Sequence, residues 1–204
     1  MQHKEYVEFI PLSNHIIKNA KLYADRMSYL KDQKPIESYL EIGALAGLYT
    51  DMVIDTLSPK LVTIVDHFME DDWDQINNRR FTKESHYSFV KDKYKNNKNI
   101  EIIKKFIRTE DDELISNGKT YDYIYIDANH DLDFVNYCLD FAVSHLNKDG
   151  VIGFNDYMVY DHFTKEYYGV VASVNKFLSQ NPNWTVSAYV IGPVMHSDIY
   201  IKML

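Results

Sequence analysis

The chain has 204 residues, 46% of them hydrophobic, enough to bury one large core, and its net charge of −8 excludes a protein that holds nucleic acid by neutralising phosphates. A single cysteine, Cys138, excludes a disulfide within the chain and fits a reducing, cytoplasmic setting. The opening stretch M-Q-H-K-E-Y-V-E-F-I-P carries acids early and no long apolar run, so neither a signal peptide nor a membrane span is expected.

Helical spacing of Ile16, Ala20, Tyr23, Ala24, Met27 and Leu30 predicts a helix from Ser13 to Lys31, within an N-terminal helical extension over 1–34. Ser38–Ile42 reads as a short strand, Gly43–Gly47 as a turn and Tyr49–Leu57 as an amphipathic helix. Leu61–Val65 is apolar on both faces, as a buried parallel strand must be, and stops at Asp66. A polar stretch leads to a helix over 82–94, a strand over 100–103 and a short helix opened by Thr109 with Asp112. Tyr121–Ile126 is a strand ending at Asp127, and 131–146 is a helix with Cys138 toward the core. N-K-D-G then reads as a turn before the strand Val151–Phe154, which runs into Asn155 and Asp156. A helix over 169–179 precedes two strands, 185–191 and 199–203, joined through Gly192-Pro193.

Strands that alternate with helices imply a parallel sheet with helices on both faces, and the closing pair adds an antiparallel final strand. The expectation is an α/β, Rossmann-like doubly wound fold: one domain over 1–204 with a mostly parallel seven-stranded sheet. In such sheets ligands bind at the carboxyl ends of the strands. Glu41, Asp66, Asp127 and Asp156 all lie there. One acid could be a helix cap, but capping does not account for all four together.

The turn E-I-G-A-L-A-G lacks the middle glycine of a dinucleotide fingerprint, and no G-K-[ST] follows, so a pyrophosphate is not its ligand. The turn resembles motif I (E-x-G-x-x-x-G) of class I S-adenosylmethionine-dependent methyltransferases. L-V-T-I-V-D, Y-D-Y-I-Y-I-D-A-N-H-D and L-N-K-D-G-V-I-G-F-N-D-Y resemble the later strands of their methyltransferase-24 type subgroup. The resemblance implies S-adenosylmethionine as cofactor and methyl transfer to a small-molecule acceptor, on a sugar or catechol-like hydroxyl. By resemblance, Gly43 and Ala44 pass close to the cofactor's amino-acid portion, Gly47 packs the helix on the strand, and Glu41 orders the turn or meets the cofactor's ammonium through water. Asp66 accepts from the ribose hydroxyls, and His67 and Asp127 are counted with the cofactor set. The third strand end, K-K-F-I-R-T, departs from the family. Phe106 is the aromatic offered to adenine there, with a core position as the competing reading.

Two chemical routes follow from the resemblance. In one, Asp127, Asn155 and Asp156 hold Mg²⁺, hard oxygen ligands for a hard ion that would lower an acceptor hydroxyl's pKa. In the other, His130 is the general base, with Asp127 beside it. His162 and His196 read as surface or loop residues. The segments 67–85 and 157–168, rich in aromatics such as Trp73 and Tyr160, are candidate lids. A homodimer is left open. A nicotinamide-dependent oxidoreductase and a non-catalytic cofactor-binding module of the same fold are the alternatives.

Overall fold

Apolar runs buried on both faces build the central sheet. The computed structural model describes residues 9–74, 78–107, 118–192 and 196–204, with the backbone alone of Trp73 and Asp74. The strands are β1 (Lys21–Tyr23), β2 (Ser38–Ile42), β3 (Leu61–Asp66), β6 (Ile100–Lys104), β7 (Tyr121–Ile126), β8 (Leu146–Phe154), β11 (Trp184–Ile191) and β12 (Ser197–Met203), in the order β1-β11-β12-β8-β7-β2-β3-β6. β12 runs antiparallel to both of its neighbours, and every other pairing in this sheet is parallel. Two hairpins, β4 (Asp72–Asp74) with β5 (Arg79–Phe81) and β9 (Tyr160–Asp161) with β10 (Glu166–Tyr167), stand outside it.

The helices are α1 (Asn14–Ile17), α2 (Arg26–Lys31), α3 (Leu48–Leu57), α4 (His86–Tyr94), α5 (Leu132–His145) and α6 (Val170–Gln180). They cover both faces. Strand side chains alternate between faces, so β2 sends Leu40 and Ile42 into one core with Val135, Leu139 and Val174 of α5 and α6. It sends Tyr39 into the other, with Leu30, Val53 and Val90 of α2, α3 and α4. Among the described residues, no helix is long and apolar enough to cross a membrane.

The doubly wound sheet agrees with the sequence reading, with an eighth strand added at its edge. That strand breaks the helix expected over 13–31. Lys21–Tyr23 pairs with Ala188–Val190 of β11, and a new helix starts where the Asp25 carboxylate caps the Ser28 N–H at 2.7 Å. Helical spacing alone could not reveal this, because an edge strand of this length is held by its partner. The N-K-D-G stretch is likewise not a free turn: it lies within β8, where the register against β7 shifts between Tyr121 and Tyr123. The expected Thr109–Asp112 helix start, Pro193 and the first eight residues lie outside the described residues.

The chain leaves β2 for β3 and β6 on one side, then crosses back to β7 on the other. The strand order therefore reverses between β2 and β7, where an open α/β sheet forms its binding crevice.

Candidate functional site

A cavity of about 490 Å³ opens at that crevice, walled by Gly43 and Leu45 after β2, Asp66 and His67 after β3, Phe106 after β6 and Asp127 after β7. Gly43 has φ +85°, and a Cβ there would lie 1.9 Å from the Asp127 carbonyl oxygen. Only glycine fits, so the backbone itself forms the wall. Leu45 also holds a positive φ, +46°, and is 38% exposed on the cavity side. A leucine there costs energy that the surroundings must supply.

The surroundings are explicit. Asp66 Oδ2 accepts from the Ala44 and Leu45 N–H groups at 2.9 and 3.0 Å, and Oδ1 accepts from the Phe68 N–H at 2.8 Å. Asp66 thus ties two strand ends together while facing the cavity. His67 bridges it to Glu70, with Nδ1 2.9 Å from Asp66 Oδ1 and Nε2 3.2 Å from Glu70 Oε1. The turn's carbonyls are held from α4. His86 Nε2 donates to Leu45 O at 2.9 Å, Lys93 Nζ to Ala46 O at 2.7 Å, and the Tyr94 hydroxyl to Gly47 O at 2.9 Å. The Glu70 N–H donates to His86 Nδ1, which fixes the tautomer that leaves Nε2 as a donor. Nothing in the sequence marked His86 or Lys93, because their partners are backbone carbonyls 41 and 47 positions away.

Glu41, Ala44 and Gly47 support the cavity from behind instead of lining it. Glu41 is 1% exposed and accepts from the Tyr39 and Thr50 hydroxyls at 2.8 and 2.5 Å. Burial pushes its carboxyl up to about 8, and the nearby Asp127 adds to the rise. Ala44 is buried. Gly47, φ +72°, meets Tyr94, whose hydroxyl would lie 2.3 Å from an added Cβ. Phe106 is no core residue: it is 41% exposed on the cavity wall, its ring 5.1 Å from that of Phe134.

The acidic strand ends divide into two groups. Asp127, half-buried on the cavity wall, accepts from Asn155 Nδ2 at 2.7 Å. Burial pushes its carboxyl up to about 7 against the opposing pull of the Arg26 guanidinium. Asn155 Oδ1 in turn accepts from Arg26 Nη2 at 2.6 Å, and Arg26 forms a two-point pair with the buried Asp198 at 2.8 and 3.0 Å. Asp198 also accepts from the Tyr125 and Tyr200 hydroxyls at 3.1 and 3.2 Å, and Tyr49 joins Tyr200 to Tyr123. The high tyrosine count thus has a structural use. Tyr29, Tyr39, Tyr123, Tyr125 and Tyr200 are at most 3% exposed, packing their rings in the core.

Asp156 faces elsewhere. It has φ +52°, and its carboxylate lies 2.8 Å from His196 Nδ1 and 3.6 Å from His130 Nε2. His130 stacks flat on Tyr168 at 4.3 Å, its Nε2 buried without a hydrogen-bond partner. Burial lowers the His130 pKa, and Asp156 opposes that shift. His196, expected as a loop residue, therefore joins the candidate base through Asp156. Sequence could not pair them, since they lie 66 positions apart on separate elements. His162 packs edge-on to Tyr160.

The Mg²⁺ ligand set suggested by the resemblance does not fit this arrangement. The Asn155 oxygen that would ligate faces a guanidinium, and its amide nitrogen faces Asp127. Asp156 turns toward two histidines. Among the described residues, no group of three or more His, Cys, Asp or Glu side chains is arranged to hold a metal ion.

A family model described as a methyltransferase domain, of methyltransferase-24 type, matches residues 40–157, more than half of the chain. Among curated proteins, no relative matches. Solved structures share the fold at low identity. An N-methyltransferase, NodS, from Bradyrhizobium japonicum WM9 in complex with S-adenosylhomocysteine superposes with TM-score 0.59 at 14% identity, covering 87% of this chain and 84% of that one. An O-methyltransferase from Bacillus cereus with the same product gives 0.58 at 16%, covering 83% and 74%. A ribosomal protein L11 methylase from Lactobacillus delbrueckii subsp. bulgaricus gives 0.54 at 16%, covering 84% and 72%. Those three act on different kinds of acceptor atom or molecule, so the likeness concerns the scaffold.

Proposed function

The chain belongs to the methyltransferase-domain family and is an S-adenosylmethionine-dependent methyltransferase, and from that premise we propose that it methylates a hydroxyl of a small molecule. The nicotinamide and non-catalytic readings give way to the family assignment. We take the cavity between β2 and β7 as the cofactor's seat. Its volume of about 490 Å³ suits a ligand of that size. On this reading Gly43 and Asp127 flank the amino-acid portion, Asp66 and His67 the ribose, and Phe106 with Phe134 the adenine. Glu41, Ala44 and Gly47 act by holding the turn. The β9–β10 hairpin within 157–168 is the candidate lid.

The observation that carries the hydroxyl acceptor is the buried, unpartnered His130 Nε2, 3.6 Å from the Asp156 carboxylate. A neutral hydroxyl is a poor nucleophile until a base accepts its proton. In the step, an acceptor oxygen lone pair forms the O–CH₃ bond as the S–CH₃ bond breaks. The bonding pair stays on sulfur, leaving the neutral thioether, and His130 takes the proton with Asp156 stabilising the imidazolium. Asp127, pushed up to about 7, belongs to the other group, on the cavity wall.

The test is release of S-adenosylhomocysteine when the protein is offered S-adenosylmethionine with catechols, sugars and, as controls, amines. Turnover with a hydroxyl compound that falls at least a hundredfold in His130→Asn supports the assignment. Transfer to amines alone, or a His130→Asn variant as fast as wild type, defeats it.

A further inference from the structure

The cation at the acceptor-side strand ends belongs to the protein. Arg26 enters from the N-terminal segment as the first residue of α2, and its guanidinium lies over the rings of Tyr49 and Tyr125, 5.3 and 5.8 Å from their centroids. Nε and Nη2 clasp the two oxygens of Asp198, and Nη2 also donates to Asn155 Oδ1 at 2.6 Å. Asn155 then donates from Nδ2 to Asp127 Oδ1 at 2.7 Å. The amide can take only this orientation: turned over, it would set its NH₂ against the guanidinium and its oxygen against the carboxylate. One guanidinium therefore links the ends of β7, β8 and β12, and it does so through Asn155, one of the side chains offered to a divalent ion.

A divalent ion in the same place would meet three obstacles. The Asn155 oxygen is committed to Arg26. The strained Asp156 backbone, φ +52°, directs its carboxylate to His196 and His130. The guanidinium would also repel the incoming charge.

We propose that Arg26 is a positioning residue that takes the place of a divalent ion at the ends of β7 and β8, fixing Asn155 and through it Asp127, so that methyl transfer proceeds without metal. The proposal rests on the S-adenosylmethionine seat assigned above. The balance of the reaction is met without an ion: the S–CH₃ bond breaks toward sulfur, the new bond forms from the acceptor, and the acceptor's proton passes to a protein base.

The experiment has two arms on the full chain. In the first, S-adenosylhomocysteine is titrated calorimetrically into wild type in excess EDTA and in millimolar Mg²⁺, and Mn²⁺ alone is titrated with its paramagnetic resonance as readout. The expected result is one affinity for S-adenosylhomocysteine, equal within about twofold in both conditions, and no retained Mn²⁺. In the second, Arg26→Met and Arg26→Lys are compared at temperatures where each is folded. Arg26→Met, which frees Asn155 and removes the pair with Asp198, weakens S-adenosylhomocysteine binding about tenfold, and Arg26→Lys recovers part of it. One equivalent of Mn²⁺ bound to wild type and lost in Asp127→Asn would overturn the proposal while leaving the cofactor seat intact. So would product binding that needs Mg²⁺, or an Arg26→Met variant that binds as wild type does. No product binding in any condition would remove the cofactor seat itself, and the proposal with it. If Arg26→Met does not fold, the wild-type metal titration still decides.

Discussion

Gly43 has no tolerated replacement at the cavity wall. A Cβ would sit 1.9 Å from the Asp127 carbonyl oxygen, on a backbone with φ +85°. Gly43→Ala should abolish product binding measured by calorimetry and lower the melting temperature, costing more than about 1 kcal/mol from the φ conflict alone. Asp66 carries the next largest share. Its carboxylate accepts three backbone N–H groups from two segments, each charge-assisted bond contributing roughly 1.5–3 kcal/mol. Asp66→Ala should weaken S-adenosylhomocysteine at least about tenfold; unchanged affinity would remove it from the site. Glu41 gives a pH signature. Its folded-state pKa is raised by burial from 4.5 to about 8, so the folded protein keeps a proton that the unfolded chain loses. The stability associated with this group is therefore intact below about 4.5 and falls as pH rises through about 8, at up to about 1.4 kcal/mol per pH unit. Glu41→Gln should flatten that slope and raise the melting temperature at pH 8, as denaturation at several pH values would record. A slope that the substitution leaves unchanged would show that burial of Glu41 does not control it.

At the scale of elements, the turn after β2 is held by α4, which does not line the cavity. His86, fully buried, grips Leu45 O, and Lys93 and Tyr94 grip the next two carbonyls. Removing a buried hydrogen-bonding group leaves its partners unsatisfied at a cost of about 1–3 kcal/mol. His86→Ala should therefore weaken product binding measurably although His86 lies off the cavity wall, and crystals of the variant should show the 44–47 turn displaced. Product affinity equal to wild type would mean that the turn stands without α4. The strand-to-acid pattern was legible in sequence because it is local: an apolar run with a carboxylate in or just past its last residues, repeated at β2, β3, β7 and β8. The network that uses those acids was not. Arg26, His86 and His196 reach the site from separate segments, and only the packed sheet brings them there. The short β1 escaped for the same reason, since three residues make a strand only beside β11. The Mg²⁺ set does not fit for reasons the sequence hides: the fold gives the Asn155 oxygen to a guanidinium and turns Asp156 toward two histidines.

At the scale of the whole molecule, two cores lie on opposite faces of one sheet, and the site lies where the strand order reverses between them. The scaffold is shared with methyltransferases that act on quite different acceptors, so the likeness fixes the fold and not the acceptor. The proposed cofactor seat is closest at one backbone contact, the approach of Gly43 to Asp127. The most direct measurement is calorimetric titration of S-adenosylhomocysteine into wild type and Gly43→Ala, with NADH as a control ligand. The account predicts one-to-one micromolar binding to wild type, none to Gly43→Ala, and no heat from NADH. Absence of binding to wild type, or equal binding to the variant, would contradict the assignment of the cofactor to the cavity between β2 and β7.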